Sequence, residues 1–208
     1  MTKGIFITFE GIDGCGKSTQ LAMTKEWLIN SGYDVLQIRE PGGTVVGEKI
    51  RGILLDKKND SMVSLAELLL YEAARAQITE EVIKPALEQG KVVISDRFFD
   101  STYAYQGHAR ELGDDLVNSL NLIATNNLEP DVTLLLDITP EEALKRRQGR
   151  GEAEDRLEAL GTSFQAKVRE GYLQLASSVD RVKVVDASCS IEDIQAQIRN
   201  YIQDLIKV

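Results

Sequence analysis

Short runs of nearly unbroken apolar residues recur along the chain at Ile5 to Phe9, Val35 to Ile38, Val92 to Ser95, Val132 to Asp137 and Val182 to Val185. Each is bounded by polar or turn residues, which predicts five strands. The runs are apolar almost throughout instead of at every second position, as parallel strands covered on both faces require. Between them lie longer segments with apolar residues three or four apart. Leu21, Thr24, Trp27 and Leu28 share one face of a helix predicted over Lys17 to Ile29, with Gly32 as its stop. Further helices are expected at Val46 to Leu55, Asp114 to Thr125, Leu157 to Ser177 and Ile191 to Ile206, with another opening at Pro140. The segment from Ser64 to Gln89 is expected to form two linked helices, because Pro85 removes a backbone donor. Strand and helix alternate throughout, so the fold class is α/β, a five-stranded parallel sheet flanked by helices.

The chain has 208 residues, which suits a single domain spanning 1–208. Lys and Arg number 24 against 33 Asp and Glu, a net charge of −9. Nucleic acid or an anionic membrane is therefore not an expected partner, since such binding rests on summed positive charge. No run approaches the roughly 20 apolar residues of a membrane span. Cys15 and Cys189 are far apart and lack paired-ligand spacing, which indicates neither a disulfide framework nor a zinc site and fits a cytoplasmic protein. His108, the single histidine, follows Gly107 in what reads as a polar loop and is assigned no chemistry. An anionic ligand must meet cations concentrated locally. Lys145, Arg146, Arg147, Arg150 and Arg156 cluster within one such segment, which reads equally as an anion site and as a solvated helix end.

Gly11-Ile12-Asp13-Gly14-Cys15-Gly16-Lys17-Ser18 carries the phosphate-loop pattern at every fixed position, directly after the first strand and before the first helix. Glycines let the backbone wrap phosphate oxygens, and successive N–H groups together with the helix N-terminus supply positive potential. Lys17 adds a mobile full charge, the Ser18 hydroxyl is a candidate Mg²⁺ ligand, and Thr19 continues the loop into the helix. Cys15 reads as a small filler between two glycines. The loop predicts binding of a nucleoside triphosphate. A hydrolysing switch protein would add an Asn-Lys-x-Asp stretch, which this sequence lacks. A phosphotransferase needs a second site for the acceptor and cations around the transferred group.

Arg39-Glu40-Pro41-Gly42-Gly43-Thr44 follows the second strand, Tyr71-Glu72-Ala73-Ala74-Arg75 lies in the long helix, and Asp96-Arg97-Phe98 follows the third strand, ahead of Ser101-Thr102-Tyr103-Ala104-Tyr105-Gln106-Gly107. With the phosphate loop and the arginine-rich segment, this ordered set resembles the thymidylate kinase family over essentially the whole chain. The resemblance implies a P-loop nucleoside-monophosphate-kinase fold, a homodimer, and phosphoryl transfer from ATP with Mg²⁺ to dTMP. It further implies that Arg97 and Arg51 hold the dTMP phosphate and that Tyr71 stacks on thymine. Arg75, Ser101, Thr102 and Gln106 would read the base and its surroundings, with Pro41 on the acceptor side and Tyr105 lining the deoxyribose. Asp13 would sit near the sugar 3′-hydroxyl or the acceptor phosphate. Because the phosphate loop has no arginine, the resemblance is to the type whose catalytic arginine comes from a lid, here about 146–156. Arg150 would cover the transferring phosphoryl, and Arg146 would lie nearer the donor.

Two departures stand out. Phe98 replaces a frequent tyrosine, and Gly151 to Arg156 is one residue longer than the common lid stretch, so Arg147 or Arg156 is an alternative to Arg150. Asp96 ranks above Asp137 as the group supporting the metal. Two other readings stay open: a kinase for dUMP, UMP or GMP, and a nucleotide-binding regulatory module without transfer activity.

Overall fold

A computed structural model describes residues 4–149 and 156–206. Five strands, β1 (Ile5–Glu10), β2 (Val35–Arg39), β3 (Val92–Asp96), β4 (Val132–Asp137) and β5 (Val182–Asp186), form one parallel sheet in the order β2-β3-β1-β4-β5. β1 is central, with Phe6 opposite Val93 of β3 and Phe9 opposite Leu134 of β4. Its side chains divide between two cores. Ile7 and Phe9 join the cluster that includes Leu21, Leu28, Val168, Ile198 and Ile202, whereas Phe6 packs with Ile78, Ile83, Val93 and Phe98. The one polar side chain in the middle of β1, Thr8, is buried and hydrogen-bonded to Thr133 at 2.8 Å, which satisfies both hydroxyls without water.

The helices are α1 (Lys17–Asn30), α2 (Val45–Leu55), α3 (Ser64–Ile78), α4 (Lys84–Glu88), α5 (Phe99–Thr102), α6 (Asp114–Thr125), α7 (Pro140–Gln148), α8 (Gly161–Ser178) and α9 (Ile191–Ile206). Local chemistry explains several starts. Thr44 accepts the Gly47 N–H at the head of α2, and Thr139 accepts the Glu142 N–H at the head of α7, where Pro140 needs no donor. In α9, Ile194, Ile198, Ile202 and Ile206 recur every four residues and are all buried, which fixes its inner face.

Two segments depart from the sequence expectation. The long stretch before β3 divides at a π-helical turn, Thr79–Ile83, ahead of Pro85. Pro85 itself stands in the first turn of α4, where its missing N–H costs little. The segment expected as a polar loop around His108 is instead a π-helical continuation of α5, Tyr103–Ala109. Widened turns of this kind gather at functional sites. Here the turn carries Tyr105 and Gln106 inward, and His108 lies 3.8 Å from Glu170.

The phosphate-loop pattern leaves the C-terminal end of β1, and the neighbours of β1 are reached by connections running in opposite directions. In open parallel sheets the crevice beyond such a switch point is where ligands bind.

Candidate active site

Gly11 follows β1 with φ 133°, and a Cβ there would stand 2.5 Å from the Leu136 carbonyl oxygen. Gly14, with φ 94°, would drive a Cβ into the Ala143 carbonyl of α7. Only glycine gives the loop this path against its neighbours. At the start of α1, Lys17 folds back so that Nζ donates to the carbonyls of Gly11 at 3.0 Å and Ile12 at 3.3 Å, 4.0 Å from Asp13. Cys15 is fully buried in the core beneath the loop, as a filler would be.

Beyond the loop opens a cavity of about 440 Å³. It is lined by Asp13, Gly14, Gly16, Lys17 and Ser18 at one side and by Pro41, Arg51, Tyr71, Asp96, Arg97, Ser101, Thr102, Tyr105 and Gln106 elsewhere. Of the other residues singled out in the sequence, Gly11, Ile12 and Cys15 are buried behind the loop surface and Thr19 is exposed on α1, and none of the four lines the cavity. Arg146 donates to the Ala187 carbonyl at 3.0 Å, beside the turn after β5. Arg150 lies outside the described residues. Arg156 is turned away from the loop: its Nε donates to the Leu54 carbonyl at 2.7 Å and its Nη2 meets Glu67 at 2.5 Å. Arg147 does line the cavity, with Glu158 3.7 Å from its guanidinium. Between the two metal candidates, Asp96 faces the cavity, whereas Asp137 is held by two bonds from Arg169 at 2.6 and 2.8 Å.

Arg97 is the hub. It follows β3 with φ 71°, a left-handed conformation that costs a non-glycine residue and is retained where the surroundings demand it. Its Nη2 donates to Asp13 at 2.6 Å and to the Tyr105 hydroxyl at 3.1 Å, and its Nη1 to the Gly11 carbonyl at 3.0 Å and to Ser101 and Tyr172 at 3.1 Å each. Burial acts to raise the Asp13 carboxyl, but the charges of Arg97 and Lys17 and the bonds from Arg97 and Tyr105 outweigh it and pull it down to about 2. Asp13 is thus a fixed anion on a loop otherwise built for phosphate.

Arg75 does not line the cavity. At 1% exposure it lies inside the protein, where Nε meets Glu40 at 2.9 Å, Nη1 meets Glu72 at 2.8 Å, and Nη2 donates to the Phe98 carbonyl at 3.3 Å. Sequence spacing places Arg75 on a helix three residues after Glu72, but it does not reveal Glu40, which reaches the same guanidinium from the segment after β2.

Glu10 went unassigned in the sequence, as an acid just past the apolar run Ile5 to Phe9. It is fully buried, and accepts from the Phe98 N–H at 2.7 Å, Ser101 at 2.5 Å and Tyr172 at 2.7 Å. It therefore braces the same Ser101 and Tyr172 that contact Arg97. Burial first, and then the charge of Asp100, push its carboxyl up to about 7 against the pull of Arg97 and the hydrogen bonds. Burial likewise pushes Glu40 up to about 7, outweighing Arg75. Both groups release their protons near 4.5 when unfolded and near 7 when folded. The folded state therefore binds more protons between those values, and the associated stability, complete below about pH 4.5, is lost as pH rises through about 7. Accordingly, the urea midpoint of the Glu10→Gln variant is expected to change less between about pH 5 and 7 than that of the unsubstituted protein. Parallel denaturation series would measure this, and an unchanged slope would discount Glu10 as a source of the dependence.

A family model described as thymidylate kinase matches residues 9–198. Similar proteins include a thymidylate kinase of Thermoanaerobacter sp. (strain X514), 58% identical over 173 residues, which cover 83% of this chain and 84% of the relative. Another, from Caldanaerobacter subterraneus subsp. tengcongensis, is 50% identical over 206 residues, covering 99% and 98%. A crystal structure of thymidylate kinase from Ehrlichia chaffeensis superposes with a TM-score of 0.79 at 33% identity, over 97% of this chain and 99% of that one. The phosphate loop at the end of a central parallel strand, the arginine hub facing it and the match over nearly the full length agree, and the chain belongs to the thymidylate kinase family.

Proposed function

We propose that this protein transfers the γ-phosphoryl group of ATP to dTMP in the cytoplasm, giving dTDP and ADP. The family membership supports the reaction, and one observation carries it to these residues: a single cavity runs from Lys17 and Ser18, past Asp13 and Arg97, to Tyr71 and Gln106. Donor phosphates and an acceptor nucleotide thus have one shared space, the arrangement that direct in-line transfer needs.

In this reading Lys17 and the N–H groups of residues 11–19 hold the donor phosphates, with Arg146 on the donor side. Arg97 and Arg51 hold the acceptor phosphate, and the Arg51 bond to the Pro41 carbonyl at 2.9 Å aims it from α2. Tyr71 stacks on the base, Ser101, Thr102 and Gln106 read its edge, and Arg75 supports that wall from behind. Tyr105 and Asp13 flank the sugar. Arg150 is the lid cation that stabilises the charge spreading over the transferred group, and it forms no covalent bond. The donor set suits Mg²⁺, which is bound by few protein oxygens beside substrate phosphates: the Ser18 hydroxyl and the Asp96 carboxylate both line the cavity. When bound there, the ion neutralises charge between neighbouring phosphates.

An ADP-release assay with ATP and Mg²⁺, adding dTMP, dUMP, UMP, dGMP and dCMP separately, tests the reading. Turnover greatest with dTMP is the expected result. Preference for another acceptor would overturn the base-pocket assignments, and ATP binding without turnover would overturn the transfer itself.

We also propose a homodimer, supported by the exposed apolar residues Val46 and Ile53 of α2 and Leu65 and Leu69 of α3, a face costly to leave in water. Sedimentation of the unsubstituted protein as a dimer and of Leu65→Glu/Leu69→Glu as a folded monomer is expected. A monomer in both cases would refute the proposal.

A further inference from the structure

We infer that Glu67 determines which pyrimidine edge this enzyme accepts, by holding the Gln106 side-chain amide with its carbonyl oxygen free for the acceptor base. The inference rests on the kinase reading above and extends it to a residue that does not line the cavity.

Glu67 stands on α3, fully buried. Three side chains from other parts of the chain converge on its carboxylate. Gln106 Nε2 donates to Oε1 at 2.9 Å. Arg110, just past the π-helical turn, donates through Nε to Oε1 at 3.3 Å and through Nη2 to Oε2 at 3.1 Å. Arg156 Nη2 reaches Oε2 at 2.5 Å while its Nε is committed to the Leu54 carbonyl. Arg110 is further held by stacking, its guanidinium carbon 5.1 Å from the Phe164 ring centre. Two guanidinium groups, each anchored a second time, thus fix where the carboxylate sits.

A carboxylate between two guanidiniums offers only acceptor oxygens, so a neighbouring amide can bond to it through NH₂ alone. The polarity of Gln106 follows from that requirement. With Nε2 turned to Glu67 and one of its two N–H groups bonded there, Oε1 is the acceptor that Gln106 offers the cavity it lines. A free glutamine would rotate by half a turn and present either atom.

Polarity of this kind discriminates ring edges. Thymine and uracil carry an N3–H donor between two carbonyls, whereas cytosine carries an N3 lone pair beside an amino group. An acceptor held opposite N3 pairs with the first and confronts the lone pair of the second. A buried polar group left facing its own kind is strongly unfavourable, so sites built around one hydrogen-bond polarity reject the wrong partner far better than apolar pockets do. Glu67 is in this sense a positioning residue, acting through Gln106.

The test compares dTMP with 5-methyl-dCMP, which keeps the methyl group and inverts the edge. The quantity read is the ratio of kcat/KM for the two acceptors, in the unsubstituted enzyme, Glu67→Gln, Gln106→Leu and the double variant. A glutamine at position 67 supplies both a donor and an acceptor, which frees the amide at 106 to turn. The ratio is expected to fall about tenfold or more in Glu67→Gln. It should fall at least as far in Gln106→Leu, with no further fall in the double variant. Losses in Glu67→Gln that are equal for both acceptors, leaving the ratio intact, would make Glu67 merely structural and overturn the inference. A wild-type ratio in Gln106→Leu would overturn it as well, and that variant does not depend on Glu67→Gln folding. If the unsubstituted protein turned over neither nucleotide, the kinase reading would fail alone, and calorimetric affinities for the same two nucleotides would decide this inference by the same ratio.

Discussion

Lys17→Met is expected to lower kcat/KM by about 10²–10³-fold, the loss typical when a charge-stabilising group aimed at the reacting centre is removed. The chain carries a net charge of −9, and the fully buried Glu10 and the ionised Asp13 stand beside the loop that must receive a polyanion. Lys17 and Arg97 are the cations set against them at that point, and Arg97 is already bonded to Asp13. Lys17, by contrast, spends its donors on the Gly11 and Ile12 carbonyls, neutral partners that a phosphate oxygen displaces readily. Stability should change little, because each of those bonds contributes only about 1 kcal/mol. Lys17→Arg should fail to restore activity, since a planar guanidinium fork cannot occupy the place of a compact ammonium folded against the loop. Steady-state kinetics beside thermal melting would check this. A variant within tenfold of the unsubstituted enzyme would remove Lys17 from the transfer step.

The effect of Lys17 was legible in the sequence because the phosphate loop is local: its glycines, lysine and hydroxyl are contiguous, and the preceding strand and following helix follow from apolar spacing alone. All five strands were legible for the same reason, each being a short apolar run, buried on both faces in β1, β3 and β4 and in part in the edge strands β2 and β5. What escaped is non-local. Glu10 reads as the polar end of a strand until Phe98 and Ser101 at the head of α5 and Tyr172 of α8 are brought to it. Glu67 reads as one acid on an amphipathic helix, and its meaning comes from Gln106, Arg110 and Arg156. The segment around His108 shows how local punctuation misleads. Gly107 and its polar neighbours suggest a loop, yet the burial of Tyr103, Tyr105 and Gln106 against α8 and α3 draws the backbone into a widened helical turn. Tertiary packing there overrides local preference.

Arg75 carries the same lesson into energetics and gives the largest expected loss of stability. Arg75→Met is expected to destabilise the fold by about 3–5 kcal/mol, the range seen when one partner of a buried ion pair is removed. Glu40 and Glu72 are both nearly inaccessible and share this one guanidinium, and the second oxygen of each has no hydrogen-bond partner among the described residues. Methionine fills similar space but leaves two carboxyls facing each other in a medium that solvates neither. The protein has a partial escape: Glu40, already pushed up to about 7 by burial, takes a proton once its cation is gone. Relative to the unsubstituted protein, the variant should therefore lose most stability above about pH 7 and recover part of it in acid, because there the proton replaces the missing charge. Urea denaturation at several pH values would measure both the size and the slope. A loss below about 1 kcal/mol, independent of pH, would mean that the two carboxyls find other partners and that Arg75 is not what holds them in the core.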